Sequence, residues 1–192
     1  MIELAPFLAA SATVDRDHPA VRALAEEVRR ADALSTVRAA YEIVRDRFAH
    51  SYDIGATEVS VSASDVPRNG HGICFAKAHL LAAVLRANAI PAALCYQKLA
   101  RGDLELGATC LHGLNAVWLG ERWHRLDPRG NKPGTTAAFE PDRERLAYKI
   151  DPTRGERDYR EVYADPLPGV MAALRGSATI VELDRNLPLD IG

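Results

Sequence analysis

His71-Gly72-Ile73-Cys74-Phe75-Ala76-Lys77-Ala78-His79-Leu80-Leu81-Ala82-Ala83-Val84-Leu85-Arg86-Ala87-Asn88-Ala89-Ile90-Pro91 is the run whose reading decides the fold. Over residues 75–85 nearly every side chain is Ala or a large apolar group, with polar atoms only at Lys77 and His79. A helix that is apolar all round is packed on several sides, so this one is central. Gly72 permits a tight approach to it, Asn88 is placed to end it in a left-handed conformation, and Pro91 forbids its resumption. Residues 92–99 then read as a short strand. Cys74 falls in the first turn, where backbone N–H groups have no partner within the helix.

That position has a chemical consequence. The positive end of a helix dipole favours a thiolate over a thiol by about 0.3–1 kcal/mol, rising to about 2 where the site is partly buried. One pKa unit is worth about 1.4 kcal/mol. The helix alone therefore does not ionise a thiol fully, and a nearby imidazolium is needed. The same free N–H groups suit an oxyanion. An inert buried cysteine is the alternative, so the reading turns on finding a base.

The surrounding chain supplies one. Thr109 and the ten residues after it, followed by residues 122–126, have the pattern of a β-hairpin joined at Gly120-Glu121. With those two residues as the loop, Leu119 pairs with Arg122 and His112 with Arg129. His112 and Asp127 are then diagonal neighbours on adjacent strands. Cys74, His112 and Asp127 suit a nucleophile, a base that takes its proton, and a carboxylate that fixes the imidazole tautomer.

The rest reads more coarsely. Residues 1–14 suggest an edge strand or arm. Pro19 opens a helix with Val21, Leu24, Ala25 and Val28 on one face. Ser35 is suited to cap a second, with Val37, Ala40, Tyr41, Val44 and Phe48 inward. Residues 50–66 form a long connection leading to Cys74, and the 50–72 loop offers Tyr52 or Asn69 as a candidate second oxyanion donor. Arg101-Gly102-Asp103 reads as a turn. Strands are expected near Phe139, over 146–150 and over 178–183, a turn over 151–155, and a helix over 168–174.

The 192 residues suit one core, with 47% apolar and 26% charged residues and a formal net charge of −2. That charge gives no reason to expect nucleic acid or an anionic membrane surface, and no apolar run reaches transmembrane length. The start is a poor signal peptide. Cysteines at 74, 95 and 110 suggest no disulfide framework, so a reducing, cytoplasmic location is expected. Cys110-x-His112 with the other cysteines lacks a paired Cys-x-x-Cys knuckle, so neither a metal nor another cofactor is expected. His71, Tyr96 and Gln97 are candidate substrate contacts, with loop or packing roles as the alternative. His79 reads as a satisfied core histidine.

Gly72-Ile73-Cys74, with the following run from Ala78 to Pro91, resembles the core motif of transglutaminase-like proteins. His112, and Trp123-His124-Arg125-Leu126-Asp127, resemble the histidine and Trp-x-x-x-Asp strands of that family. The residues from Tyr41 to Phe48 resemble its preceding helix. The resemblance covers about residues 35–130, leaving 131–192 as a C-terminal extension of one domain spanning 1–192. It implies an α+β, papain-like fold: N-terminal helices and a Cys-bearing central helix packed on an antiparallel sheet. It also implies a Cys-His-Asp triad performing acyl transfer on a peptide, protein or small amide. Two departures stand out. Leu114 replaces an aromatic residue two positions after the histidine, and Pro128-Arg129-Gly130-Asn131 differs from the common Asp-Pro-Thr. Hydrolysis is the expected outcome, transamidation the alternative, and a non-catalytic binding module the rival class. Arylamine acetyl transfer uses a related fold, but its Arg-Gly-Gly-x-Cys run is lacking.

Overall fold

The computed structural model describes residues 3–101 and 108–191. Its helices are α1 Pro19–Val28, α2 Ala33–Arg47, α3 Asp65–Asn69, α4 Cys74–Ala87, α5 Pro168–Arg175 and α6 Ile180–Arg185. Its strands are β1 Ala49–His50, β2 His71–Gly72, β3 Ala92–Ala100, β4 Thr109–Leu119, β5 Arg122–Leu126 and β6 Arg157–Asp158. The last four form an antiparallel sheet in the order β5-β4-β3-β6, and β1 pairs with β2 in parallel. This is the α+β, transglutaminase-core arrangement. Gly102 and Asp103, in the turn expected after β3, lie outside the described residues. Among the described residues, no helix is long and apolar enough to cross a membrane.

Helix α4 is the centre. Every residue from Cys74 to Arg86 is buried. One side of it lies on β3 and β4, and α1 and α2 pack against it with Val21, Leu24, Val28, Val37, Tyr41 and Val44. Burying each large apolar side chain contributes about 1.5–3 kcal/mol, which makes this stack the main source of stability. Asn115 ties sheet to helix, its Nδ2 donating to Ala78 O at 2.9 Å and to Ala93 O at 3.2 Å. The opposite sheet face carries a smaller cluster of Ala93, Cys95, Leu114 and Ala116, covered by Phe7, Trp123, Leu146 and Val162.

Two cations on α4 are buried, and each is saturated by carbonyls. Lys77 Nζ donates to Arg45 O (3.0 Å), Phe48 O (2.5 Å) and Arg129 O (3.2 Å). The first two are orphan carbonyls at the end of α2. Arg86 donates to Ala92 O, Ala9 O and Ala164 O. A buried charge without such partners would be prohibitively costly.

The hairpin has the expected register as far as Asn115 and Leu126, where β5 ends, so the expected pairing of His112 with Arg129 is not made. Leu119 pairs with Arg122 and Asn115 with Leu126. Gly120 and Glu121 both take positive φ, 54° and 61°, the two-residue turn whose twist matches that of the flanking strands.

Several local expectations are corrected. Asn88 is not left-handed; its amide is held by Ala25 O and Val84 O, and Ala89 takes the positive φ of 57°. Asp32, not Ser35, caps α2, accepting from Ser35 N at 2.8 Å. The N-terminal arm forms a short 3-10 turn, Ala5–Leu8, not a strand. Residues 139–150 form no strand, and only a single bridge joins Ala138 to Arg145. Residues 178–183 are not a strand either, because Thr179 Oγ1 accepts from Glu182 N, and Glu182 Oε2 from Ala178 N, at the start of α6.

Candidate active site

Cys74 is the first residue of α4, and its neighbour Gly72 lies in β2. A Cβ on Gly72 would sit 3.0 Å from Ala76 Cβ and 3.1 Å from Val66 Cγ2, so a side chain there would crowd the entry to the helix. The thiol is 8% exposed. Beside it runs β4, past the point where β5 stops pairing. Gly113 N donates to Cys74 Sγ at 3.4 Å. A Cβ on Gly113 would fall 2.6 Å from Phe75 Cδ1, so the strand approaches the helix start only because residue 113 is glycine.

The residue before Gly113 is His112. Its Nε2 lies 2.8 Å from Asp127 Oδ2, which leaves Nδ1 as the nitrogen that faces Cys74. Asp127 is fully buried and saturated: Arg129 N donates to Oδ1 at 3.1 Å and Ala147 N to Oδ2 at 3.1 Å. Its backbone carbonyl accepts from Tyr41 Oη of α2. Burial alone would raise the Asp127 carboxyl, but the His112 charge, its N–H and the two backbone N–H groups hold it below the usual range. Burial alone would likewise lower His112. The Asp127 carboxylate, to which it is hydrogen-bonded, and the nearby Cys74 sulfur instead raise it to about 10. Desolvation and the Asp127 carboxylate pull the imidazole in opposite directions, and the carboxylate prevails, which favours the charged form.

Further residues surround the three. The Tyr148 ring meets that of His112 edge-on, with centroids 5.0 Å apart and planes at 83°. Arg129 donates from Nε to Tyr148 Oη at 2.9 Å and grips both Asp53 oxygens at 2.6 and 2.9 Å. Tyr52 is within electrostatic reach of Cys74, and burial raises its hydroxyl pKa. Tyr52, Cys110 and Tyr148 help line a cavity of about 510 Å³, whose further wall includes Asp184 and Leu187 of the C-terminal segment.

Cys74, His112 and Asp127 therefore come together. Of the other sequence candidates, Gln97 stays beside His112 and the rest separate. Gln97 pairs with His112 across β3 and β4 and lines a second cavity, about 330 Å³, with Tyr148. Tyr96 points to the opposite face, packed against Phe75 and Tyr163, its hydroxyl accepting from Leu167 N. His71 is buried with Nδ1 3.0 Å from Ser51 Oγ. Asn69 spends its amide on Ser60 Oγ. His79 Nδ1 lies 2.8 Å from Val61 O in the core. Arg129, Tyr148 and Asp53 were not anticipated. Only Arg129 left a signal, in the departure from Asp-Pro-Thr.

The sequence model of the transglutaminase-like superfamily matches residues 22–128, more than half of the chain. The chain belongs to the transglutaminase-like superfamily. Among solved structures it is similar to a proposed cysteine protease from Cytophaga hutchinsonii, at 25% identity and a TM-score of 0.53, over 66% of this chain and 42% of that one. It is also similar to the periplasmic domain of TgpA from Pseudomonas aeruginosa, at 26% identity and a TM-score of 0.48, over 66% of this chain and 48% of that one. The matched region is thus less than half the length of either structure. No curated protein matches the chain. Superfamily membership and the Cytophaga likeness support a thiol-dependent enzyme in general terms.

Proposed function

We propose that this member of the transglutaminase-like superfamily transfers the acyl group of an amide or peptide through a thioester on Cys74, with water as the usual acceptor. The observation that carries the reading is the placement of His112 between Asp127, at 2.8 Å, and the sulfur that also receives Gly113 N–H.

The thiolate attacks the carbonyl carbon, and the C=O electron pair moves onto oxygen. The N–H of Cys74, unpartnered within its own helix, is placed to receive that oxyanion. Collapse breaks the C–N bond, and His112 passes its proton to the departing amine. His112 then takes a proton from water as the oxygen attacks the thioester, and the thiolate leaves with the proton count restored. Asp127 keeps the imidazole oriented throughout. An amine in place of water would give transamidation from the same thioester.

The test is a peptide library incubated with the protein and read by mass spectrometry, with and without hydroxylamine. New termini or deamidated side chains that vanish in Cys74→Ala support hydrolysis. Hydroxamates without hydrolysis would move transamidation to first place. Products that persist in Cys74→Ala would overturn the reading.

A further inference from the structure

One hydrogen bond does not fix an imidazole. With Asp127 holding only Nε2, the ring is free to turn about that bond and carry Nδ1 off the sulfur. A second contact is needed to set its plane. Five groups other than Asp127 lie around it: Cys74 from α4, Gln97 opposite on β3, His50 from β1, and Tyr148 with Arg129 behind it. Of these, Tyr148 has the ring contact.

Tyr148 is itself held at both ends. Its neighbour Ala147 donates its N–H to Asp127 Oδ2, and its hydroxyl accepts from Arg129 Nε. Arg129 is 4% exposed and anchored four ways: to both oxygens of Asp53, through its own N–H to Asp127 Oδ1, and through its carbonyl to Lys77 Nζ. Asp53 is held in turn by Lys132 Nζ at 3.1 Å. The guanidinium fork is spent on Asp53 and its remaining Nε–H on the tyrosine, a division a lysine cannot reproduce. Tyr148 also lines both cavities at this end of the sheet, so it stands between His112 and the open space there.

We infer that Arg129 and Tyr148 are positioning residues: Arg129, locked on Asp53, holds the Tyr148 ring against His112 so that Nδ1 stays turned toward the Cys74 sulfur. The inference rests on the triad reading above and adds two residues that do not touch the reacting atoms.

The experiment is alkylation of Cys74 by iodoacetamide at pH 6 and pH 9, in Cys110→Ser protein. Cys95 is fully buried and its thiol is pushed up to about 12 by burial, so it stays silent. Melting temperature is followed alongside. Tyr148→Phe keeps the ring and cuts only the Arg129 link; Tyr148→Leu removes the ring. The pH 6 rate should fall about threefold in Tyr148→Phe and tenfold or more in Tyr148→Leu, with the pH 9 rate little changed. Arg129→Lys should match Tyr148→Phe, and combining the two should add nothing, since both cut one bond. An unchanged ratio of pH 6 to pH 9 rates in folded Tyr148→Leu overturns the inference. A wild-type protein that is unreactive at pH 6 overturns the triad reading itself.

Discussion

His79 on α4 and His112 on β4 are both buried, and they behave in opposite ways. His79 and His112 are 1% and 4% exposed. His79 faces the carbonyl of Val61, and burial lowers its pKa to about 4. His112 suffers the same desolvation but faces the Asp127 carboxylate and the Cys74 sulfur, and it rises to about 10. Burial is common to both pockets. What differs is whether the facing acceptor is neutral or anionic, and that decides which protonation state the fold holds. The lesson is that a core histidine and a candidate base are separated by one carboxylate, not by exposure.

The largest expected effect comes from removing the anionic side. In Asp127→Asn the His112 pocket acquires a neutral partner like that of His79. Turnover of any substrate found for Cys74 should drop by about 10³–10⁴, the scale on which such orienting carboxylates act. A loss of less than tenfold would show that Asp127 is packing and not orientation.

Next is stability against pH, where the two pockets act in opposite windows. His112 is raised above its unfolded value of 6.5, so its contribution is complete below pH 6.5 and is lost as pH climbs toward about 10. His79 is lowered, so its contribution is complete above pH 6.5 and is lost as pH falls toward about 4. Chemical denaturation across pH should show His112→Gln flattening the alkaline arm and His79→Gln flattening the acid arm. If either variant flattened the other arm, the contrast would be wrong.

Lys77→Met should cost about 2–4 kcal/mol by urea titration, because three buried carbonyls lose their donor. Burial lowers Lys77 to about 7, so relief of a buried charge offsets part of the loss. A neutral or stabilising result would mean that relief outweighs the three orphaned carbonyls. The smallest effect belongs to His79→Leu. It should cost about 1 kcal/mol for one buried hydrogen bond and leave Cys74 alkylation unchanged.

The legible parts of the molecule are those written locally. The continuous apolar run gave α4, and the two-residue Gly120-Glu121 loop set the hairpin register, which together bring Cys74, His112 and Asp127 into one place. The strand predicted over 178–183 shows a local signal overlooked: Thr179, three residues before Glu182, carried the helix-starting cap. Tyr96 and Gln97, adjacent in sequence, went to opposite faces because side chains alternate along a strand. The Asp53–Arg129–Tyr148 clamp was not legible at all. Its members come from three separate connections, and no periodicity links positions 53, 129 and 148.

The most direct test of the central claim is the protonation of His112 in solution, followed by ¹⁵N NMR of the imidazole from pH 5 to pH 11. The account predicts a doubly protonated ring through pH 8 in the wild type, and a titration that falls below 6.5 in Asp127→Asn. A neutral His112 at pH 7 in the wild type would contradict it, leaving Cys74 beside a structural histidine of the His79 kind.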